Sequence, residues 1–174
     1  MSRTYINLEI RRLVVERAGN ICEYCLISEE DTTSCQVDHI ISVKHGGAST
    51  DDNLCYACVF CNLQKGTDLG SINWRNGELV RFFNPRRDFW GDHFQLNEAI
   101  IQPLTDIGEV TSRILDFNKN ERIIERQLLI GDFQLKKYPK ISCGAGILPA
   151  NNTRTGKMPI PQNWIIFFVE FSRS

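Results

Sequence analysis

The chain has 174 residues, 42% of them hydrophobic, which fits one compact domain with an extended C-terminal part. Its net charge of −1 and pI near 6.3 exclude a strongly basic protein. The chain shows an odd number of cysteines, seven, and no apolar N-terminal stretch. It also lacks the run of about eighteen apolar residues that a membrane span requires. These features predict a protein of the reducing cytoplasm without a membrane span.

The first predicted element is a helix that begins after Asn7. Asparagine often caps a helix by accepting a hydrogen bond from a backbone N–H, and the apolar residues Ile10, Leu13 and Val14 share one face. Gly19 predicts the end of the helix.

Two Cys-x2-Cys pairs follow, separated by 32 residues. Each pair presents two thiolates in the geometry that a tetrahedral ion requires, so the sequence predicts one structural Zn²⁺ on Cys22, Cys25, Cys58 and Cys61. Cys55 and Cys58 form an alternative second pair. We prefer Cys58 and Cys61 because that choice places Asn62 at the start of the following helix.

Between the two pairs, residues 36–43 and the Gly46-Gly47 turn predict a short β-hairpin, followed by a helix from about Cys61. Farther along, Asn76-Gly77 is a strong hairpin signal between residues 71–74 and 78–83.

Residues 84–90 then break the strand pattern and carry Arg86 and Arg87 beside aromatic side chains. Such a cluster can bind phosphate and stack on bases. An equally supported interpretation is a turn from which Phe89 and Trp90 enter the core.

Two helices are predicted near the end of the domain. Thr105 opens the first, and Asn118 with Glu121 forms a capping pair for the second, in which Ile124 and Leu128 share one face. We expect both helices to cover the hairpin. The composition changes after residue 140, and residues 141–174 are interpreted as a disordered or accessory tail.

The order of polar residues inside the cysteine frame is specific. Asp38-His39, then Asn53, then Asn62 directly after Cys61 resembles the HNH endonuclease family over roughly residues 20–66. That family's motif is a strand with Asp-His, a loop ending in Asn, and a helix with a final His or Asn. The resemblance implies an α+β fold in which a ββα-metal, treble-clef-like unit is stapled by zinc. Residues 1–140 would form the endonuclease domain, with residues 67–140 covering the motif as a hairpin and helices.

The resemblance also implies residue roles. His39 would be the general base that activates water, and Asp38 a ligand of a catalytic divalent metal. Asn53 would hold the loop so that His39 points at the scissile phosphate. Asn62 replaces the frequent final His, and a hard oxygen donor favours Mg²⁺ or Mn²⁺ over Zn²⁺ at the catalytic position. Asn53 as a simple turn cap and Asn62 as a helix cap remain alternatives.

DNA is the expected partner, with Lys65, Arg86 and Arg87 as candidate phosphate contacts. Charge argues against tight binding, because residues 1–66 hold six Lys and Arg against nine Asp and Glu. Two hypotheses therefore stand. The first is a metal-dependent endonuclease, and the second is a non-catalytic zinc module that binds nucleic acid or a partner protein.

Overall fold

The computed structural model describes residues 5–29 and 34–132, with side chains described as far as residue 128. Within these ranges the protein is a mixed α+β fold with five helices and three two-stranded antiparallel sheets. The predicted α+β class is confirmed at this level. The predicted tail at 141–174, including Cys143, lies outside the described residues.

The helices are α1 (Leu8–Ala18), α2 (Val59–Lys65), α3 (Trp90–His93), α4 (Asp106–Ile114) and α5 (Asn120–Asp132). The strands are β1 (Cys35–His39), β2 (Leu54–Cys58), β3 (Gly70–Ile72), β4 (Leu79–Arg81), β5 (Phe94–Asn97) and β6 (Ile100–Pro103). Each sheet pairs consecutive strands, β1 with β2, β3 with β4, and β5 with β6.

Helix α1 has both predicted ends. The Asn7 side chain accepts a hydrogen bond from the Glu9 N–H at 3.0 Å, and Gly19 closes the helix in the left-handed region at φ 60°. The buried face carries Val14 and Ala18. Leu13, which the pattern placed on that face, is 47% exposed.

The first hairpin differs from its prediction. Strand β1 ends at His39 and pairs with β2, in the register Cys35 with Cys58 and His39 with Leu54. The predicted short hairpin with its turn at Gly46-Gly47 was therefore wrong. Residues 40–53 instead form a loop with two short 3₁₀ turns. Most of residues 41–50 are exposed or half-buried, whereas every residue of β2 is buried.

Helix α2 follows β2 directly and begins at Val59, with Cys58 as its N-cap. This start is two residues earlier than predicted. Asn62 is therefore inside the helix, and the alternative that it caps the helix is wrong.

The second hairpin agrees with the sequence, and of the two predicted covering helices α4 packs on it. Strands β3 and β4 flank a turn in which Gly77 has φ 75°, a backbone conformation that glycine adopts readily. Thr105 caps α4 by accepting from the Gly108 N–H at 3.2 Å. The buried Thr111 hydroxyl of α4 accepts from the Phe83 N–H at 2.8 Å, which fixes α4 on the hairpin.

Helix α5 is present, but its predicted cap was wrong, and the face that Ile124 and Leu128 share is exposed. The Asn118 amide bonds both backbone groups of Ile101, at 2.9 and 2.7 Å, and so belongs to the β5–β6 hairpin. Ile124 and Leu128 are 54% and 59% exposed. The opposite face of α5 carries two buried arginines, Arg122 and Arg126.

An aromatic core lies beneath α4, and it involves a hairpin that the sequence did not predict. Phe94 in β5 packs against Phe83, Trp90 and Phe117, with ring centroids 5.2–5.6 Å apart. The Trp90 indole N–H donates to the Tyr24 carbonyl at 2.9 Å. Trp90 therefore enters the core and joins it to the first cysteine pair, whereas Phe89 is 42% exposed.

Candidate metal centre and active site

Four buried cysteines converge at the junction of β2, α2 and the loop after α1. The Sγ atoms of Cys22, Cys25, Cys58 and Cys61 all lie within 4.8 Å of one another. Sulfurs about 2.3 Å from one tetrahedral zinc lie about 3.8 Å apart, and the Cys25 and Cys58 sulfurs are separated by 3.7 Å. The donor set is thus compatible with a structural metal such as zinc.

The first pair lies in a tight turn tied to β2. The Leu26 N–H donates to the Cys22 carbonyl at 3.0 Å, and the Glu23 N–H donates to the Tyr56 carbonyl at 2.9 Å. The buried Glu23 carboxylate accepts from the Tyr56 N–H at 2.8 Å. These bonds place Cys22 and Cys25 opposite the second pair.

The second pair spans the start of α2. The Cys61 N–H donates to the Cys58 sulfur at 3.4 Å, so the cap of α2 is itself a member of the cluster. Hydrogen bonds from the other three cluster cysteines hold the pKa of Cys58 well below its ordinary value, and the nearby Arg122 acts in the same direction. A thiol that loses its proton readily suits metal binding.

The two remaining described cysteines lie outside the cluster. The buried Cys55 thiol donates to the Asp38 carbonyl at 3.6 Å, and burial raises its pKa to about 12. Cys35 is also buried, and burial likewise raises its pKa to about 12. The geometry therefore favours Cys58 with Cys61 over the alternative pair that includes Cys55.

His39 ends β1 at the edge of the long loop. Its Nε2 lies 2.9 Å from the Ser49 hydroxyl, which fixes the ring. Burial lowers the pKa of His39; Asp38 opposes this effect, while Lys65 and Arg11 add to it. Burial therefore favours the neutral form of the imidazole. Ser49 was not found by sequence reasoning, because a serine in a polar loop gives no spacing signal.

Asn53 holds the two sides of the loop together. Its side-chain oxygen accepts from the Ile41 N–H at 2.9 Å, and its amide donates to the carbonyls of Ile41 and Ala48, each at 2.9 Å. The Asn53 carbonyl accepts from the Ile40 N–H at 2.9 Å. Three of these four bonds join residue 53 to the segment directly after His39, and the fourth joins it to Ala48.

Helix α1 also contacts the loop between β1 and β2. One Arg17 nitrogen donates to the carbonyls of Asp51 and Leu54, at 2.8 and 2.7 Å. This contact holds the chain on both sides of Asn53.

Asp38 and Lys65 form an ion pair behind His39. The Lys65 Nζ lies 3.4 Å from Asp38 Oδ2 and 2.8 Å from the His39 carbonyl oxygen, and the Lys65 side chain is 2% exposed. The predicted phosphate contact of Lys65 stays a prediction, and its buried position gives it a structural role as well. Asp38 keeps an exposed fraction of 21%.

Asn62 lies one helical turn before Lys65 on α2 and is half-buried. Its side-chain amide makes no hydrogen bond to the residues that the structure describes. Residues three apart on a helix share a face, so Asn62 lies on the side of α2 from which Lys65 reaches Asp38.

The two candidate arginines differ in their surroundings. Arg86 is 12% exposed and its guanidinium forms an ion pair with the buried Glu23. Arg87 is exposed. Their contact with nucleic acid stays a prediction, and of the two only Arg87 presents its side chain freely to solvent.

Arg122 of α5 is a further member of the metal centre that sequence reasoning missed. Its Nη2 lies 3.1 Å from both the Cys25 and the Cys58 sulfurs. A charged residue in a helix 61 positions after Cys61 gives no local signal of such a contact.

These features describe a small α+β protein with a four-cysteine cluster that could hold a metal and an Asp-His pair at the other end of the β1–β2 hairpin. Residues 22–68 match the family model described as HNH endonuclease, a segment that covers less than half of the chain. This segment therefore resembles an HNH endonuclease domain, and the resemblance seen in the sequence is confirmed over these residues. Comparisons with curated proteins and with solved structures gave no match. Among the helices of residues 5–29 and 34–132, none is long and apolar enough to cross a bilayer.

Proposed function

We propose that the protein is a metal-dependent endonuclease that hydrolyses phosphodiester bonds of DNA. The observation that supports this most is the loop between β1 and β2. Four hydrogen bonds of Asn53 fix this loop next to His39, inside the segment matched to the HNH family. A module that only binds has no need of a neutral histidine held in one orientation.

The chemistry requires an activated water and a shielded phosphate, because a phosphodiester is anionic and resists attack. In the proposed site, His39 Nε2–H donates to the Ser49 hydroxyl, and the lone pair on Nδ1 takes the proton from water. The lowered pKa of His39 keeps that lone pair free at neutral pH.

Asp38 and Asn62 would hold a catalytic Mg²⁺ or Mn²⁺. Both offer hard oxygen donors: Asp38 has a partly exposed carboxylate, and Asn62 has a half-buried amide on the face of α2 that carries Lys65. When bound, the ion supplies positive charge that shields the phosphate. The β1–β2 hairpin leads directly into α2, which begins at the cysteine cluster. This order of elements supports a ββα-metal arrangement.

The ion pair between Lys65 and Asp38 would orient the Asp38 carboxylate for metal binding. A carboxylate that is oriented before the metal binds loses less conformational freedom on binding. Because the Lys65 ammonium also bonds the His39 carbonyl, it fixes the base and the metal ligand relative to each other.

Binding to DNA is expected to be weak and sensitive to salt. Residues 1–66 carry six Lys and Arg against nine Asp and Glu, and DNA affinity depends on neutralised phosphates. Arg87 would be one phosphate contact. The divalent ion offsets part of the acidic charge when it is bound.

The test is cleavage of supercoiled plasmid by purified protein of known zinc content, with Mg²⁺, with Mn²⁺ and without either. Asp38→Ala and Asn62→Ala should raise the divalent ion concentration needed for half-maximal nicking, since each removes one oxygen ligand. The matched controls are Asp68→Ala and Gln64→Ala, which remove an exposed carboxylate and an exposed side-chain amide nearby. Plasmid binding without nicking under every metal condition would instead support the non-catalytic zinc module.

A further inference from the structure

Helix α5 lies outside the matched HNH segment, yet one of its side chains reaches the cysteine cluster. The Arg122 side chain is 3% exposed. Its Nη2 is within 3.1 Å of two cluster sulfurs, those of Cys25 and Cys58. Cys25 precedes Arg122 by 97 positions, so this contact closes a long section of the chain onto the metal centre.

The guanidinium is enclosed on its other sides. Nη1 bonds the Glu125 carboxylate at 2.6 Å, one turn along α5. The Arg122 carbon Cζ lies 4.6 Å from the centre of the Phe60 ring, which belongs to α2 between two cluster cysteines. Arg122 is thus held by a salt bridge, an aromatic face and two sulfurs.

The positive charge of Arg122 complements the negative charge of a metal-loaded cluster. Four thiolates with one Zn²⁺ have a net charge of −2, whereas four protonated thiols have none. Arginine remains charged in proteins, and a buried cation requires negative partners. Glu125 supplies one negative group, and the loaded cluster supplies the other.

We propose that Arg122 is the outer charge partner of the zinc centre and that zinc binding and the docking of α5 stabilise each other. Hydrogen bonds from the guanidinium stabilise the thiolate forms of Cys25 and Cys58 and compensate part of the charge of the loaded cluster. The loaded cluster in turn provides the charge that seats Arg122, and with it α5, against α2. Partners beyond the direct ligands commonly change metal affinity by about 10 to 100-fold.

The experiment compares the zinc-loaded parent protein with Arg122→Gln, Arg122→Lys and the control Arg12→Gln, which removes an equal charge from an exposed position on α1. Zinc release to a chromogenic chelator gives the rate of metal loss. Hydrogen exchange of the α5 amides, measured while zinc is bound, reports the docking of the helix.

We expect Arg122→Gln to release zinc about tenfold faster than the parent and to lose exchange protection in α5 but not in α1. Arg122→Lys should give an intermediate rate, because an ammonium is a point charge without the planar fork of donors. Arg12→Gln should match the parent.

Parent-like zinc release by a folded Arg122→Gln protein would overturn the proposal. Faster zinc release with unchanged hydrogen-exchange protection of α5 would overturn the coupling between zinc binding and the docking of α5. If Arg122→Gln yields no folded protein, the zinc release of Arg122→Lys tests the proposal. Release at the parent rate would contradict the proposal, and faster release would support it. None of these measurements uses nuclease activity.

Discussion

The Nζ of Lys65 lies 3.4 Å from Oδ2 of Asp38, and the same ammonium donates to the His39 carbonyl at 2.8 Å. One buried cation from the last turn of α2 therefore holds both residues of the Asp-His pair. The Lys65 ammonium also bonds the Gly66 carbonyl at 3.3 Å. Two of its three contacts link α2 to the end of β1, and the third lies at the C-terminus of α2.

Replacing Lys65 with Met should destabilise the protein by about 2 kcal/mol, because a partly buried carboxylate and a carbonyl lose their shared donor. Denaturant unfolding of the zinc-loaded protein measures this loss. The control is Lys44→Met, at an exposed position in the loop. Equal unfolding midpoints for the two variants would show that Lys65 stabilises nothing at the site.

The two loop glycines should respond differently to alanine. A Cβ on Gly47 would lie 1.7 Å from the Ile41 carbonyl oxygen and 2.7 Å from the Asn53 amide nitrogen, so the loop would have to move. We expect Gly47→Ala to cost about 2–3 kcal/mol and to reduce plasmid nicking. Gly46→Ala meets no atom within 4 Å but has φ +81°, and the strain there is about 1–2 kcal/mol. A Gly47→Ala protein with parent stability and activity would contradict the close packing of this loop.

Zinc content should distinguish the two possible second cysteine pairs. Cys58→Ser removes a cluster ligand and is expected to lose zinc, with unfolding of the surrounding segment, because structural zinc contributes on the order of 10–16 kcal/mol in small zinc peptides. Cys55→Ser should retain the full zinc content of the parent, since Cys55 bonds the Asp38 carbonyl instead. Elemental analysis of both purified variants provides the measurement, and the reverse pattern would move the site to Cys55.

The pH dependence follows from the lowered pKa of His39, which burial causes. A folded-state pKa below the unfolded value means that the folded protein disfavours the protonated ring. Its contribution to stability is therefore complete above the unfolded pKa of about 6.5 and is lost as the pH falls through that region. A base must also be unprotonated, so kcat/KM for cleavage should rise with pH, with its midpoint below about 6.5, and then level. A rise centred well above pH 7 would point to a different base.

The sequence predicted the local elements well because their signals are local. Asn7 and Gly19 bound α1, Asn76-Gly77 forms a turn, and the paired cysteines converge. Prediction failed where tertiary contacts decide the outcome. Asn118 has the pattern of a cap, but its amide bonds the backbone of Ile101.

The error in the first hairpin has a similar cause. Gly46-Gly47 resembles a hairpin turn, but the Asn53 side chain organises a longer loop around it, and β1 pairs beyond that loop. The turn of the β5–β6 hairpin contains no glycine, and Glu98 adopts the positive φ of 53° there. The sequence therefore carried no turn signal. The Arg122 contact joins residues far apart in sequence and had no signal in the spacing of cysteines. The Asp-His pair itself was found from motif order, and its partners Ser49 and the buried Lys65 ammonium required the fold.

The most direct test of the central proposal is the rate of supercoiled plasmid nicking by His39→Ala at matched zinc content, with His45→Ala as the control. His45 is an exposed histidine in the same loop, so this pair separates the proposed base from a general loss of imidazole. Loss of a general base should lower the rate by about 10²–10⁴-fold, with zinc content and fold retained, while His45→Ala nicks as the parent does. Nicking by His39→Ala at the parent rate would contradict the assignment of the active site.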